Sequence, residues 1–548
     1  MKTPFLFLFV CVVAGRAQES LTLSRPVEHS LPSASADVYA VMVKAGDYVA
    51  TSIDQYGRTD LTVLLPDGSR LRQCVGPAQD GERLCVFIAE VSGTYHIQVT
   101  TPSPQPVNYR LTLNQVLSLD ERLQPQPWLD PNPSPRIDAL RKLAASGTTD
   151  TTSFWQQVAQ EHTPLVEPVA NDPRFQLVTF LWRGARLTRN VLLVASFQSG
   201  GFHPLDFVMH QISGTDVWHV TVRLPAAARF TYSLSINDPL VFSGPQPQRF
   251  ATMQADPLNP QRWGCSKDAP LLDCQSIAEL PGAAPQPWLV PNNSVAAGTV
   301  EKHTIHSELL KNDHDLSVYL PAGYKPVGTP YHLVIIFDES AYLTKVPTPV
   351  ILDNLIGAKK ISPTVAVLIA NPSSDTRIRE LSPNAKFADF LAGELVPWIR
   401  AHYHVTHDPA DTVVAGSSLG GLAATYAGYQ HSEVFGNVLC QSGSFWWAPD
   451  HSAAPADGTI TETGWIAKQF IASPKLPLKF YLDAGTFEYD VLGTGGSILE
   501  TSRQMRDVLA AKGYQVRYQQ FVGGHDYLSW RGTFADGLMN LIGKAKQD

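Results

Sequence analysis

From about Val300 to the C-terminus, the apolar residues fall into two alternating rhythms. Short continuous runs recur: LSVYLPAGY (316–324), YHLVIIFDES (331–340), TVAVLIAN (364–371), TVVAG (412–416) and KFYLDAG (479–485). Their length and β-branched content suit strands buried on both faces. Between them lie longer stretches with helical spacing: AKFADFLAGELVPWIRAHY, SLGGLAATYAGYQH and ILETSRQMRDVLAAKGY. Buried strands alternating with helices predict a parallel sheet covered on both faces, here over residues 291–548.

The rhythm upstream is different. Over residues 18–117, DVYAVMV, YVATSID, LTVLLPDGS, RLCVFIAEV, GTYHIQVTT and NYRLTLNQV alternate apolar with polar positions and are punctuated by Asp-Gly and Ser-Gly turns. That pattern predicts a small β-sandwich. It resembles the accessory β-domains found beside exported peptidases and other exported enzymes. A Pro-rich stretch over 118–135 reads as a linker, and a helical segment follows from Ile137 to Glu161, so residues 118–150 are linker and helix. FQLVTFLWRG, RNVLLVASF, LDFVMHQI, WHVTVRLP and ARFTYSLSI predict a second β-sandwich within residues 151–290. No internal repeat of fixed period is present. The expected architecture is an α/β-hydrolase C-terminal domain preceded by two β-sandwich domains.

The first seventeen residues change the setting. Lys2, an apolar run from Phe5 to Val13 and a small residue at Ala17 have the form of an export signal. The run is too short to be a permanent membrane anchor. Val10 before Cys11 is the wrong residue type for a lipid-anchor signal. Beyond Cys11, Cys74 and Cys85 lie eleven apart, and Cys265 and Cys274 nine apart. Each spacing suits a local disulfide in an oxidising compartment, in keeping with a periplasmic or secreted protein. Cys440, in FGNVLCQSGS, reads as a buried thiol. Neither pair has zinc-site spacing, so no metal site is expected.

Composition adds the exclusions. With 548 residues, roughly three or four domains are expected. The formal net charge is −8 with no long basic run, which argues against nucleic acid or an anionic membrane as partner.

The candidate chemistry lies in Gly416-Ser417-Ser418-Leu419-Gly420. This is G-x-S-x-G with a strand before and a helix after, the nucleophile elbow of α/β-hydrolases. Ser418 holds the central position, and the Leu419 N–H at the helix start can face a developing oxyanion. A serine hydroxyl needs a base. Of the later histidines, His431 lies on the elbow helix and His451 in a polar loop. His525 follows a strand and is flanked by glycines in FVGGHDYLSWRG, which makes it the expected base. The acid is expected in GTFEYD after KFYLDAG: Glu488, with Asp490 and Asp483 as rivals.

GSSLGGLAATYAGYQHSEVFGNVLCQSGSFWW (416–447), GGHDYLSWRG (523–532) and RIRELSPNAKFADFLAGELVPW (377–398) resemble the enterochelin esterase family. Upstream, FWQQVAQEHTPLVE, VTFLWRG, ISGTDVWHVTVRLP and ADPLNPQRW resemble that family's own N-terminal β-domain, so the resemblance covers residues 150–546. It implies hydrolysis of a catecholate siderophore, a cyclic trilactone of dihydroxybenzoyl-serine with or without iron, through an acyl-serine intermediate. It places Ser418, His525 and Glu488 on the nucleophile, base and acid. Arg377, Glu380 and Asn384 fall on a site-lining segment. Arg377, Arg379 or Arg531 would offset an anionic substrate, and Trp446 and Trp447 would stack on catechol rings or belong to the core. No cofactor is implied, and any iron would arrive with the substrate. The loop expected to supply the second oxyanion N–H usually reads Asp-Gly in this family; here it is Asp338-Glu339-Ser340, which puts a carboxylate near that N–H. Other readings of the same residues are an exported feruloyl or acetyl polysaccharide esterase, an acyltransferase to a sugar, and a non-catalytic siderophore- or glycan-binding protein.

Overall fold

The computed structural model describes residues 19–544 except 34, 76–80, 119–129, 199–203, 239, 241–248, 250–251, 267, 450–463 and 490–496. The export-signal segment, Cys11, His451 and Asp490 lie outside the described residues.

Residues 19–117 form two sheets. One contains Ala36–Val43, Gly93–Thr100, Asp60–Leu64 and Arg70–Val75, with Glu19–Ser20 at its edge. The other contains Val27–Leu31, Val107–Leu117, Tyr48–Tyr56 and Gly81–Ile88. Alternate residues of Ala36–Val43 are buried, as period-two patterning requires, and Tyr39, Val41 and Val43 meet Val49, Ile53 and Leu111 of the other sheet in one core. Cys74 and Cys85 are bridged, which ties a strand of one sheet to a strand of the other. Closing so short a loop stabilises by about 3 kcal/mol through the unfolded chain.

The helical segment expected from Ile137 to Glu161 is two helices, Pro135–Ala145 and Thr152–Glu161. Gly147 breaks it at φ 96°, a backbone conformation that costs any other residue energy. Both helices bury Ile137, Leu140, Trp155 and Val158 against one of a second pair of sheets. Those sheets hold Phe175–Arg183 and Val217–Pro225 in one, and Val191–Ala195, Arg229–Ile236 and Gln275–Glu279 in the other. Phe180, Leu193, Val220, Phe230 and Tyr232 fill the space between them. Cys265 and Cys274 are bridged beside the last strand.

The C-terminal part is built on eight strands: β1 (Thr299–Ser307), β2 (Asn312–Leu320), β3 (His332–Ile336), β4 (Thr364–Ile369), β5 (Thr412–Ser417), β6 (Asn437–Gln441), β7 (Lys479–Gly485) and β8 (Gln515–Phe521). They pair in the order β1-β2-β4-β3-β5-β6-β7-β8. The sheet is mixed rather than wholly parallel as expected: the first two junctions are antiparallel, β1 and β2 forming a hairpin through residues 308–311, and the remainder are parallel. Leu333, Ile335 and Val414 enter one core; their neighbours Val334, Ile336 and Val413 enter the other. Alternate side chains therefore feed two apolar layers, which is why these strands read as unbroken apolar runs. Leu419–Gln430 and Ile498–Ala511 cover one face; Thr348–Gly357 and Tyr527–Ile542 cover the other. The helix expected through 385–403 widens to a π-turn at Leu391–Leu395, just before Pro397, which lacks an N–H to donate.

Candidate active site

Strand β5 ends at Ser417, and the chain turns through Ser418 at φ 57° and ψ −122° into the helix Leu419–Gln430. A non-glycine residue in that region is strained. The turn is tight enough that a Cβ on Gly416 would lie 2.5 Å from backbone atoms of Gly420, so only glycine fits there. The Ser418 N–H donates to the Gln441 carbonyl at 2.9 Å, and the Ser418 carbonyl accepts from Ser444 N at 3.1 Å. The backbone on both sides of the hydroxyl is thereby fixed.

Two loops from neighbouring strands complete the group. His525, in the loop after β8, places Nε2 2.9 Å from Ser418 Oγ. Its Nδ1 lies 2.7 Å from Glu488 Oε1, in the loop after β7. Glu488 is fully buried, and its second oxygen accepts the Gly485 N–H at 2.6 Å. A carboxylate that accepts from Nδ1–H leaves Nε2 as the acceptor for the serine proton. The arrangement can remove a proton from Ser418, hold the resulting imidazolium beside a negative charge, and return the proton.

The N–H groups of Leu419 and Glu339 make no backbone hydrogen bond among the described residues. Glu339 follows Asp338, which sits at φ 58°, ψ 51°. Asp338 Oδ1 accepts from Arg377 Nε (2.5 Å) and Asn371 Nδ2 (2.6 Å), and Oδ2 from Arg377 Nη2 (2.8 Å). These bonds to Asp338 raise the Arg377 guanidinium above its ordinary range. The Glu339 side chain turns the other way. Its Oε1 accepts from Lys302 Nζ at 2.5 Å and from Ser317 Oγ, on β1 and β2.

The remaining expected site residues have partners within the fold. Glu380 is buried, accepts from Asn312 Nδ2 at 2.8 Å, and lies 3.6 Å from His314 Nε2. Asn384 caps the helix Ala385–Phe390 and donates to the Arg379 carbonyl. Arg531 donates to Gln286 at 2.7 Å and Glu279 at 3.3 Å and lies over the Trp263 ring, reaching toward the preceding β-domain. Arg379 is exposed, with its guanidinium 3.2 Å from Thr376 Oγ1. Trp447 is half-buried, edge-on to Trp465, and Trp446 is half-buried against Ile498 and Leu499. His431 pairs with Asp389 and Glu433. Cys440 is buried, which pushes its thiol up.

Asp483 lies fully buried near the end of β7. Burial raises its carboxyl to about 8, and Oδ1 accepts the Ser442 N–H at 3.0 Å. It makes no hydrogen bond to His525 among the described residues. Sequence reasoning missed Trp530. Its Nε1 donates to Ser442 Oγ at 2.9 Å, and its ring stands edge-on to His525 at 4.8 Å between centroids. An aromatic residue five positions after the candidate base was the available signal. Among the described residues, no three His, Cys, Asp or Glu side chains converge in a way that could hold a metal.

Residues 177–289 match the N-terminal domain family of enterochelin esterases, and residues 307–541 match the esterase family. The iron(III) enterobactin esterase of Dickeya dadantii is 32% identical over 431 residues, 73% of this chain and 95% of that protein. The chain belongs to the enterochelin esterase family. It is a carboxylic-ester hydrolase. The iron(III) salmochelin esterase of Escherichia coli O6:H1 is 28% identical over 75% of this chain and 98% of its own length. The crystal structure of ferric enterobactin esterase from Salmonella typhimurium is similar at a TM-score of 0.58 and 27% identity, covering 70% of this chain and 98% of that one. An enterobactin esterase from Shigella flexneri, crystallised in the presence of enterobactin, matches at a TM-score of 0.55, 26% identity, and coverage of 71% and 97%. Residues 19–117 lie outside both family matches.

Proposed function

We propose that Ser418, His525 and Glu488 form a hydrolytic triad that opens the trilactone of a catecholate siderophore through an acyl-serine intermediate. The observation that carries this reading is the unbroken line from Glu488 through His525 to Ser418, at 2.7 and 2.9 Å, in a member of the enterochelin esterase family. His525 takes the Ser418 proton as Oγ attacks a lactone carbonyl, and the oxyanion is met by the N–H groups of Leu419 and Glu339. Collapse expels the seryl alkoxide, which His525 protonates. The ring is now open and the whole chain is esterified to Ser418. Water, deprotonated by His525, attacks the same carbonyl and releases the linear trimer.

Arg377, Glu380, Asn384 and Arg531 act by shaping the walls, since each is engaged by neighbouring protein groups. Arg379 is an exposed cation on the helix Ser374–Leu381, and Trp446 and Trp447 are half-buried aromatics in the loop after β6. The two disulfides support work in an oxidising compartment, and among the described residues no helix is long and apolar enough to cross a membrane. Recovery of the protein only from cytosolic fractions would contradict export.

The test is incubation of the full chain, and of Ser418→Ala, with iron-free trilactone, iron-loaded trilactone and a feruloyl ester, with products followed by mass. Serine-dependent linear trimer, dimer or monomer is expected. Feruloyl cleavage with the trilactone left closed would move the substrate to polysaccharide esters. Tight trilactone binding by both proteins, with no cleavage, would leave a binding scaffold.

A further inference from the structure

The acid and the base of the site sit on loops that follow β7 and β8, at one edge of the eight-stranded sheet. An edge strand has a neighbour on one side alone, so its loops need support from elsewhere. The β-domain of residues 165–280 supplies it. The Arg229 N–H donates to the Val522 carbonyl at 3.1 Å, joining a strand of that domain to the chain three residues before His525. Gly524, next to His525, lies so close to the Ser196 carbonyl that a Cβ there would be 1.8 Å from its oxygen. Phe487, next to Glu488, is buried in the β-domain's own aromatic core, with its ring 6.2 Å from that of Phe197. Phe197 is itself fully buried and edge-on to Phe230 at 4.8 Å. The two loops are also stitched to each other: Thr486 N donates to the Phe521 carbonyl at 2.9 Å, and Phe487 N to the Gly523 carbonyl at 3.1 Å.

We infer that the β-domain of residues 165–280 is a working part of the catalytic apparatus, and that Phe487 and Phe197 are positioning residues that hold Glu488 and His525 in register with Ser418. The inference rests on the triad reading above. Its physical basis is the absence of slack. Phe487 cannot leave the β-domain core without carrying the adjacent Glu488 backbone with it. Its amide moves the Gly523 carbonyl, two residues from His525. Interiors are close-packed, so a displaced aromatic ring is transmitted rather than absorbed. A misplacement of about 1 Å at a reacting group costs roughly 10²-fold in rate.

The experiment compares full-length wild type, Phe487→Ala, Phe487→Leu, Phe197→Ala and Ser418→Ala on p-nitrophenyl acetate, a substrate too small to need the β-domain for binding. Active sites are counted by the burst of nitrophenolate, so that kcat is expressed per functional serine. The expected result is a fall in kcat of about 10²-fold for Phe487→Ala and Phe197→Ala. KM should stay within about twofold, and Phe487→Leu should recover most of the loss. A purely structural role would lower the burst amplitude and the melting temperature and leave kcat per titrated site unchanged, which would overturn the inference. If Phe197→Ala does not fold, the two Phe487 variants carry the test, since they leave the β-domain's own chain intact. Activity surviving in Ser418→Ala would instead sink the triad reading. Loss in Ser418→Ala with wild-type kcat in the phenylalanine variants would sink the bracing alone.

Discussion

Arg377 grips Asp338 with two guanidinium nitrogens, Nε at 2.5 Å and Nη2 at 2.8 Å. The pair bears on the chemistry because Asp338 immediately precedes Glu339, whose N–H is proposed as the second oxyanion donor. A left-handed backbone at Asp338 is unfavourable for a residue with a side chain, and the grip on its carboxylate holds it there. Arg377 is thereby committed to the loop rather than to a substrate anion. Replacing it with lysine removes the fork and should lower kcat by about 10-fold to 10²-fold with KM changed less. Arg377→Ala strips a buried carboxylate of its charged donor and should cost about 2 kcal/mol in urea unfolding.

Glu339 itself should be nearly silent in substrate choice. Its carboxylate is engaged by Lys302 and Ser317. Lys302 is largely exposed, so the ion pair contributes at most about 1 kcal/mol. Glu339→Gln should change kcat/KM for an anionic ester by less than about threefold. A rise of an order of magnitude would show that the carboxylate repels substrate.

Asp483 makes stability depend on pH in a stated direction. Its folded carboxyl is raised to about 8, above the unfolded value of ~3.9, so the folded chain holds a proton that the unfolded chain releases in between. Stability from this group is fully present below the unfolded value and is lost as pH rises through about 8. Asp483→Asn can still accept the Ser442 N–H but cannot ionise. Its melting temperature relative to wild type should therefore be higher at pH 8 than at pH 5. A difference that stays constant across that range would contradict the assignment.

Trp530 connects the strained Ser442 backbone, at φ 46°, to the ring of His525. Trp530→Phe keeps an aromatic edge and loses the bond to Ser442 Oγ. It should cost about 1 kcal/mol of stability and leave activity within about tenfold of wild type. Trp530→Ala removes the packing on His525 and should lower kcat by considerably more.

The elbow and the strands β2 to β5 and β7 were legible because their signals are local, whereas β1, largely exposed along its length, carries no apolar run to read. A glycine-flanked serine between a buried strand and a helix has one geometry, and strands covered on both faces read as unbroken apolar runs. Glu488, expected from its distance past β7, lies 2.7 Å from His525 Nδ1. What the sequence hid is tertiary. An arginine does not announce its partner, so Arg377 and Arg531 read as cations for the substrate, whereas Asp338 in one case and Gln286 and Glu279 in the other occupy them. Glu339 read as a charge at the oxyanion loop because the direction of its side chain is set by Ser317 and Lys302 on other strands. Phe487 read as part of a loop, since nothing local says that its ring belongs to another domain's core.

Whether ester cleavage passes through Ser418 is decided by rapid-quench intact mass of the protein mixed with excess iron-free trilactone. Opening a ring expels no fragment. A transient adduct is therefore expected whose mass equals the whole trilactone, mapped by peptide digestion to Ser418, absent in Ser418→Ala and decaying to linear trimer. Linear trimer that accumulates at the same rate in Ser418→Ala, with no adduct at any quench time, would contradict it.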